Sequence, residues 1–269
     1  MSYKALLISA IALIAVGCGR TTLSDGAEKA AGFSTVGRAT DAAGQPLANV
    51  NVEVWGKHET GGGPVSYTTV TGTDGTYRQT DIAPGTYTAV AWRKLKYNGR
   101  DYKLPLKPVQ GNIDLEYRAK DGLVRDFVWQ ISGPQPAYRS EENYGGDLLF
   151  YGVDGLYRSL GLPDGTPITI NLTPDGPLMD GSAGSPVTIT VAYKPGTYLT
   201  TVEDIPLGRY TVSASAEGTG LIRLSGTDRT GSSDDHYKPT ATIEFLPSGS
   251  QVRPYQAPAV KQAHVYSRL

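Results

Sequence analysis

The segment from Trp92 to Pro108, WRKLKYNGRDYKLPLKP, carries the residue types that could bind an anionic ligand. Between Arg93 and Lys107 it holds six cations and one anion, with tyrosines among them. Aromatic faces stack on sugar rings, and nearby ammonium or guanidinium groups pair with carboxylate, sulfate or phosphate. The candidate ligand-binding residues are Trp92, Arg93, Lys94, Lys96, Tyr97, Arg100 and Tyr102. A solvated hairpin, with its rings packed on a sheet and its cations in water, is the alternative.

Catalytic and metal chemistry finds little support in the sequence. The three histidines, His58, His236 and His264, form no H-x-x-E, H-E-x-x-H or H-x-H pair, and no G-x-S-x-G elbow is present. The Asp-Gly pairs lack the spacing of a calcium loop and are typical of turns. We therefore predict a protein that is not an enzyme, with no catalytic residue, metal site or cofactor. The sequence does not exclude a Ser-His-Asp triad whose members are brought together by folding.

The overall charge excludes one class of partner. The chain has 25 basic and 26 acidic residues, a net charge of −1, so no global field draws it toward nucleic acid. An anionic partner must therefore be met by a local patch. Cys18 is the single cysteine, which excludes an internal disulfide and a cysteine-based zinc site.

The N-terminus predicts export. Lys4 is followed by twelve mostly apolar residues from Ala5 to Val16. As a helix they would rise about 18 Å, which is too short for a hydrocarbon core of about 30 Å. A short apolar stretch after one cation is typical of a signal peptide, which we assign to residues 1–17.

The residues at the end of this stretch, Ala15-Val16-Gly17-Cys18, resemble a bacterial lipobox. The resemblance implies that the Cys18 thiol is diacylglycerated, that cleavage precedes Cys18, and that the new amino group receives a further acyl chain such as palmitate. Ordinary signal cleavage is the alternative, since Ala15 and Gly17 also suit that reaction. Gly19 after the cysteine favours the outer membrane. Two or more acyl chains anchor stably, so membrane lipid is the expected partner of Cys18, with residues 18–33 as a tether.

The rest of the chain predicts β structure. Its 33 Gly, 18 Pro and 17 Tyr favour short strands joined by turns, and Val50, Val52 and Val54 alternate with polar residues. The octapeptide DIAPGTYT at 81–88 returns as DIPLGRYT at 204–211. Since 269 residues can form two domains of ordinary size, the repeat indicates two related domains.

Three motifs in the first half carry a family resemblance. V-G-x-x-x-D-x-x-G-x-P-L-x-x-V-x-V-x-V at 36–54, T-D-G-T-Y at 73–77 and I-x-P-G-x-Y at 82–87 resemble the carboxypeptidase regulatory-like domain. The resemblance implies a transthyretin-like sandwich of seven strands. It also implies an accessory rather than a catalytic role, in a fold superfamily that includes starch-binding modules.

These observations predict an all-β protein with two Greek-key, seven-stranded β-sandwich domains in tandem after a lipoprotein signal peptide. The predicted boundaries are the first sandwich at 34–131, a linker at 132–143, a diverged second sandwich at 144–250 and a C-terminal tail at 251–269.

The expected function is a non-catalytic binding or adhesion module, anchored to a membrane of the cell envelope and facing away from the cytosol. Its expected partner is a surface polysaccharide or an envelope protein. The alternative is a structural or assembly subunit of an envelope complex that docks through the edges of its sandwiches.

Overall fold

The structure is a computed structural model that describes residues 30–135, 143–196, 198–226, 236–247 and 262–269. The signal peptide, Cys18 and most of the tether lie outside the described residues, so their predictions stay predictions. Within the described part of the chain, no helix is long and apolar enough to cross a membrane.

Ten strands build the first sandwich, and one 3₁₀ helix, Ala119–Asp121, lies between the eighth and ninth strands. The strands are β1 Thr35–Asp41, β2 Asn51–His58, β3 Val65–Val70, β4 Thr76–Gln79, β5 Gly85–Tyr97, β6 Arg100–Pro105, β7 Lys107–Pro108, β8 Glu116–Arg118, β9 Leu123–Val124 and β10 Phe127–Trp129.

The described part of the second sandwich contains eight strands. They are β11 Gly146–Tyr151, β12 Pro167–Pro174, β13 Val187–Ala192, β14 Tyr198–Ile205, β15 Gly208–Ala216, β16 Gly220–Ser225, β17 Thr240–Phe245 and β18 Ala263–Arg268. The prediction of an all-β sandwich fold is confirmed. The strand count of the first sandwich exceeds seven because several of its strands, such as β7 and β9, have only two residues.

The first sandwich consists of two sheets that face each other. One has the order β4-β1-β10-β7, with β9 also paired to β1, and the other has the order β3-β2-β5-β6, with β8 also paired to β5. Alternation places Val52 and Val54 of β2 against Ala89 and Ala91 of β5, and all four are buried. Every second side chain of these strands therefore points inward and fills the space between the two sheets.

The second sandwich follows the same plan with one continuous sheet. Its order is β13-β12-β15-β16-β18-β11-β14, and β17 also pairs with β15. The strand β15 pairs with β17 along its first half and with β16 along its second, and β16 continues to β18. The chain therefore passes from one layer of the sandwich to the other through β16.

In both sandwiches the first strand pairs in parallel with the last. Ala39 of β1 lies opposite Phe127 of β10, and Leu148 of β11 lies opposite Ala263 of β18. The segment predicted as a tail at 251–269 thus contains a core strand, since Val265 is fully buried. The sequence alone did not reveal β18, because this strand takes its position from β11 and β16, which are distant along the chain.

The two copies of the repeated octapeptide share a backbone feature and a burial pattern. Asp81 and Asp204 have left-handed backbones, with φ of 59° and 58°. Each copy buries its Ile, Gly and Tyr. The Tyr210 hydroxyl donates a hydrogen bond to the Pro206 carbonyl oxygen at 2.9 Å, within the second copy.

Candidate binding surface

Most of the segment from Trp92 to Pro108 forms a β-hairpin, which ends at Pro105, and Lys107–Pro108 forms β7 in the facing sheet. Strands β5 and β6 pair antiparallel, and Asn98 and Gly99 join them with φ of 46° and 77°. Two consecutive residues with positive φ form the tight turn that matches the twist of a hairpin, and Asn-Gly is the favoured sequence for it. The turn fixes which side chains share a face.

The face that points away from the core carries most of the charge. Its cross-strand pairs are Trp92 with Pro105, Lys94 with Lys103 and Lys96 with Asp101. Lys94, Lys96 and Arg100 are exposed. The ion pair between Lys96 and Asp101 spans 4.0 Å and is open to solvent, so it neutralises the patch only weakly.

Lys103 is held over an aromatic ring on this face. Its ammonium lies 4.1 Å from the ring centroid of Trp92, which is only 9% exposed. Burial lowers the pKa of Lys103, and the nearby Lys94 lowers it further while Glu53 opposes the change. The positive charge on this face therefore includes two lysines that repel each other, of which Lys94 is exposed and Lys103 is half-buried.

The opposite face of the hairpin packs on the protein. The Arg93 guanidinium lies 4.0 Å from the ring centroid of Trp129, and burial lowers the pKa of Arg93. Leu95 and Tyr102, which are cross-strand partners, are half-buried against the hydrophobic core. Arg93 and Tyr102 are thus only partly available to a ligand.

Tyr97, at the tip of the hairpin, docks on the second sandwich. Its hydroxyl donates to the carbonyl oxygen of Pro177 at 3.1 Å and accepts from the backbone N–H of Arg209 at 3.0 Å. The residue is 9% exposed, and burial raises its pKa. Tyr97 and Trp92, both predicted to contact ligand, are therefore buried.

Further bonds between the two sandwiches involve the second copy of the octapeptide. The carboxylate of Asp204 accepts a hydrogen bond from the backbone N–H of Gly133, just after the first sandwich, at 2.7 Å. It also accepts one from the backbone N–H of Gly145 within the second sandwich, at 3.2 Å. Leu207 donates its backbone N–H to the carbonyl oxygen of Ile131 at 3.0 Å. Sequence reasoning identified the repeat but not this contact, since no local pattern encodes which surface the second copy meets.

Sequence reasoning also missed Arg125, which is fully buried in the first sandwich. Its guanidinium donates to the carbonyl oxygens of Asn112 and Leu115, and burial lowers its pKa. The Tyr77 hydroxyl donates to the carbonyl oxygen of Arg125 at 2.7 Å. Arg125 thereby fixes the segment before β8, a role that its sequence context, LVRDF, does not signal.

No metal-binding cluster is found in the described ranges, where no three His, Cys, Asp or Glu side chains converge. His264 Nδ1 lies 3.0 Å from the Tyr151 hydroxyl, and these two rings stack with each other. A shallow, open depression beside β8 is lined by Thr86, Glu116, Tyr117, Arg118 and Asp121. The hairpin remains the best candidate for a binding surface.

Residues 34–115 match the family model of the carboxypeptidase regulatory-like domain. The resemblance inferred from the three sequence motifs is thereby confirmed for this segment. The match to the carboxypeptidase regulatory-like domain includes the whole β5–β6 hairpin and ends just before β8, although β8, β9 and β10 complete the first sandwich. No curated protein matches the sequence.

Among solved structures, the Bacillus anthracis TIE protein is 12% identical, with 89% of this chain and 34% of that chain covered and a TM-score of 0.39. A streptococcal ancillary pilin is 14% identical, with coverages of 88% and 62% and a TM-score of 0.26. GBS52, the minor pilin of Streptococcus agalactiae, is 10% identical, with coverages of 88% and 95% and a TM-score of 0.28. This chain thus spans less than two thirds of the first two proteins.

Proposed function

We propose that this chain is a non-catalytic, lipid-anchored binding module of the cell envelope, and that its β5–β6 hairpin binds an anionic surface polysaccharide. The observation that carries the proposal is the pair of lysines, Lys94 and Lys103, directly opposite each other on the outward face. Like charges in that position destabilise a sheet. An anionic ligand between the two ammonium groups would remove the repulsion and gain that free energy in binding.

The surroundings of the pair support an anionic ligand. Lys96 lies on the same face, two residues nearer the turn, and Arg100, opposite Tyr97, is exposed at the tip on the other face. Asp101 is the single anion of the hairpin, and its contact with Lys96 is exposed and spans 4.0 Å. Because Lys103 covers the Trp92 ring, the expected contacts are charge-assisted hydrogen bonds from lysine rather than stacking of a sugar on tryptophan.

The anchor rests on Cys18 and is a separate part of the proposal. The cysteine follows a short apolar segment at the position that lipidation requires. A chain that carries two or more acyl groups is held stably on a membrane, with the outer membrane expected from Gly19. Labelling cells with a palmitate analogue should tag the parent chain and leave the Cys18→Ala chain untagged and released from membranes.

The test of ligand binding uses the full chain carrying Cys18→Ala. Immobilised heparin and polygalacturonate supply sulfate and carboxylate, and dextran supplies an uncharged polysaccharide. We expect Lys94→Glu with Lys103→Glu to weaken binding about tenfold or more, equivalent to ~1.4 kcal/mol. Added salt should weaken binding by the parent chain, because exposed charges are screened.

The matched control makes the same change of charge elsewhere on the first sandwich. Lys57 and Lys120 are also exposed, so Lys57→Glu with Lys120→Glu should retain most of the affinity. Equal losses in the two double variants would mean that only net charge matters, and would remove the hairpin from the proposal. Binding to dextran as strong as binding to heparin and polygalacturonate would contradict the proposal that the ligand is anionic.

A further inference from the structure

The edge strand β13 lacks the features that protect sheet edges. Within the described residues it pairs only with β12, and it lies at the end of the sheet. Its six residues, VTITVA, contain no charge and no proline, and its register with β12 runs without a shift. An exposed edge of this kind can pair with another strand.

Other edges of the two sheets do carry such features. At the opposite end of the same sheet, β14 has two acidic residues and irregular pairing with β11. In the first sandwich, β6 carries three charged residues and ends in Pro105. The edge strand β3 is also uncharged, and its Tyr67 hydroxyl accepts a hydrogen bond from the backbone N–H of Ala83 in the turn alongside.

The sequence of β13 is self-complementary. When two antiparallel copies of a strand pair about a two-fold axis, residues that lie opposite each other must point to the same face of the sheet. This condition is met when the axis passes between the two copies of one residue, so that this residue lies opposite itself. With the axis at Ile189, that residue faces itself, Val187 faces Val191, and Thr188 faces Thr190. We infer that β13 is an interface between two copies of this chain, paired antiparallel about Ile189.

The side chains of β13 support continuation of the sheet on both faces. On the core side Val187, Ile189 and Val191 are only half-buried, so pairing would remove more of their apolar surface from water. On the outer side Thr190 already bonds Thr169 at 3.1 Å. Threonine pairs across the new edge would extend this ladder.

This interface is independent of the polysaccharide proposal, because β13 belongs to the second sandwich and the cationic hairpin to the first. It makes the alternative function, a structural or assembly subunit, more specific, because it names β13 as the docking strand and a second copy of this chain as the partner. The two sheets would join through backbone hydrogen bonds, the mode by which an edge accepts an added strand.

The test is disulfide crosslinking in the full chain carrying Cys18→Ala, which has no other cysteine. Ile189→Cys places one thiol beside its copy, so mild oxidation of the purified chain should give a covalent dimer on a non-reducing gel. Val187→Cys is the matched control, also half-buried on the core side. Its two copies would lie roughly 13 Å apart, at about 3.3 Å per residue, too far for a disulfide.

A second variant tests the register. Val187→Cys combined with Val191→Cys should restore the dimer, because the two positions face each other across the axis. Equal crosslinking by Ile189→Cys and Val187→Cys would overturn the register, and no dimer from any variant would overturn the interface. Thermal unfolding of each reduced variant checks that the fold is retained. If Ile189→Cys unfolds, the Val187→Cys and Val191→Cys combination decides alone.

Discussion

The hydroxyl oxygen of Tyr97 accepts a hydrogen bond from the backbone N–H of Arg209 at 3.0 Å, across the boundary between the two sandwiches. Arg209 lies in the second copy of the repeated octapeptide, and Tyr97 ends the strand that begins in the first copy. The two copies therefore serve different purposes. The first directs a hairpin outward, and the second receives the tip of that hairpin.

Tyr97→Phe should weaken the contact between the sandwiches. The change leaves the Arg209 N–H and the Pro177 carbonyl without this partner, at an expected cost of about 1–3 kcal/mol in the free energy of unfolding. Urea unfolding of the second sandwich measures it. Tyr102→Phe is the control, since the Tyr102 hydroxyl makes no hydrogen bond within the described residues. A loss from Tyr102→Phe as large as that from Tyr97→Phe would contradict the assignment.

Asp204→Ala should destabilise the protein more than Asp81→Ala. Both aspartates have the same left-handed φ, so alanine costs about 1–2 kcal/mol of backbone strain at either position. Only Asp204 accepts bonds from the backbone N–H groups of Gly133 and Gly145, while Asp81 accepts one from the Thr80 hydroxyl. The expected difference is about 1–3 kcal/mol by urea unfolding. Indistinguishable midpoints would show that the Asp204 bonds contribute nothing.

Gly85→Ala and Gly208→Ala probe the same position of the repeat in different surroundings. A Cβ at Gly85 would lie 2.2 Å from the carbonyl oxygen of Lys57, a backbone atom of the paired strand. At Gly208 the nearest atom is Leu178 Cδ2, at 2.5 Å, on a side chain that can rotate. We expect a loss of about 3 kcal/mol at Gly85 and about 1 kcal/mol at Gly208. The reverse order in melting temperature would contradict this reasoning.

Stability should fall as the pH rises above 10. Burial raises the pKa of Tyr117 to about 12, and it also raises the pKa of Tyr77 and Tyr210. In the unfolded chain tyrosine ionises near pH 10, so above that pH the folded state holds more protons than the unfolded state. Each additional proton held by the folded state lowers the free energy of unfolding by about 1.4 kcal/mol per pH unit. The stability is fully present below pH 10 and is lost as pH rises toward the folded pKa values.

The measurement is urea unfolding at pH 9 and at pH 11, together with tyrosinate absorbance during a pH titration. Cooperative ionisation that coincides with unfolding is expected. Tyr117→Phe should reduce the slope of stability against pH between about 10 and 12. A flat stability across that range would contradict the burial of these hydroxyl groups.

Local patterns were enough to predict the all-β class, the repeat and the family of the first sandwich. Period-two alternation, as in Val52 and Val54, depends only on which face a side chain points to. The Asn98-Gly99 turn also had a local signal, since this dipeptide favours a two-residue hairpin. That signal would have predicted that Lys94 and Lys103 face each other.

Contacts between distant parts of the chain could not be predicted in the same way. The aromatic composition of the hairpin suggested ligand contacts for Trp92 and Tyr97, but Lys103 covers the first and the second sandwich covers the other. The position of β18 depends on partners far away in sequence. These features follow from tertiary packing, which composition and spacing do not encode.

The parallel pairing of first and last strands has a consequence for the order of folding. Each sandwich is complete only when its final strand pairs with its first strand. This final pairing joins β10 to β1 in the first sandwich and β18 to β11 in the second. Pairings between such distant residues carry a large loop-closure entropy and fold slowly. When the chain is synthesised or exported from its N-terminus onward, all strands of the first sandwich are present once residue 129 has emerged. The second still has exposed core edges until residue 268, which makes it the half more dependent on protection before it closes.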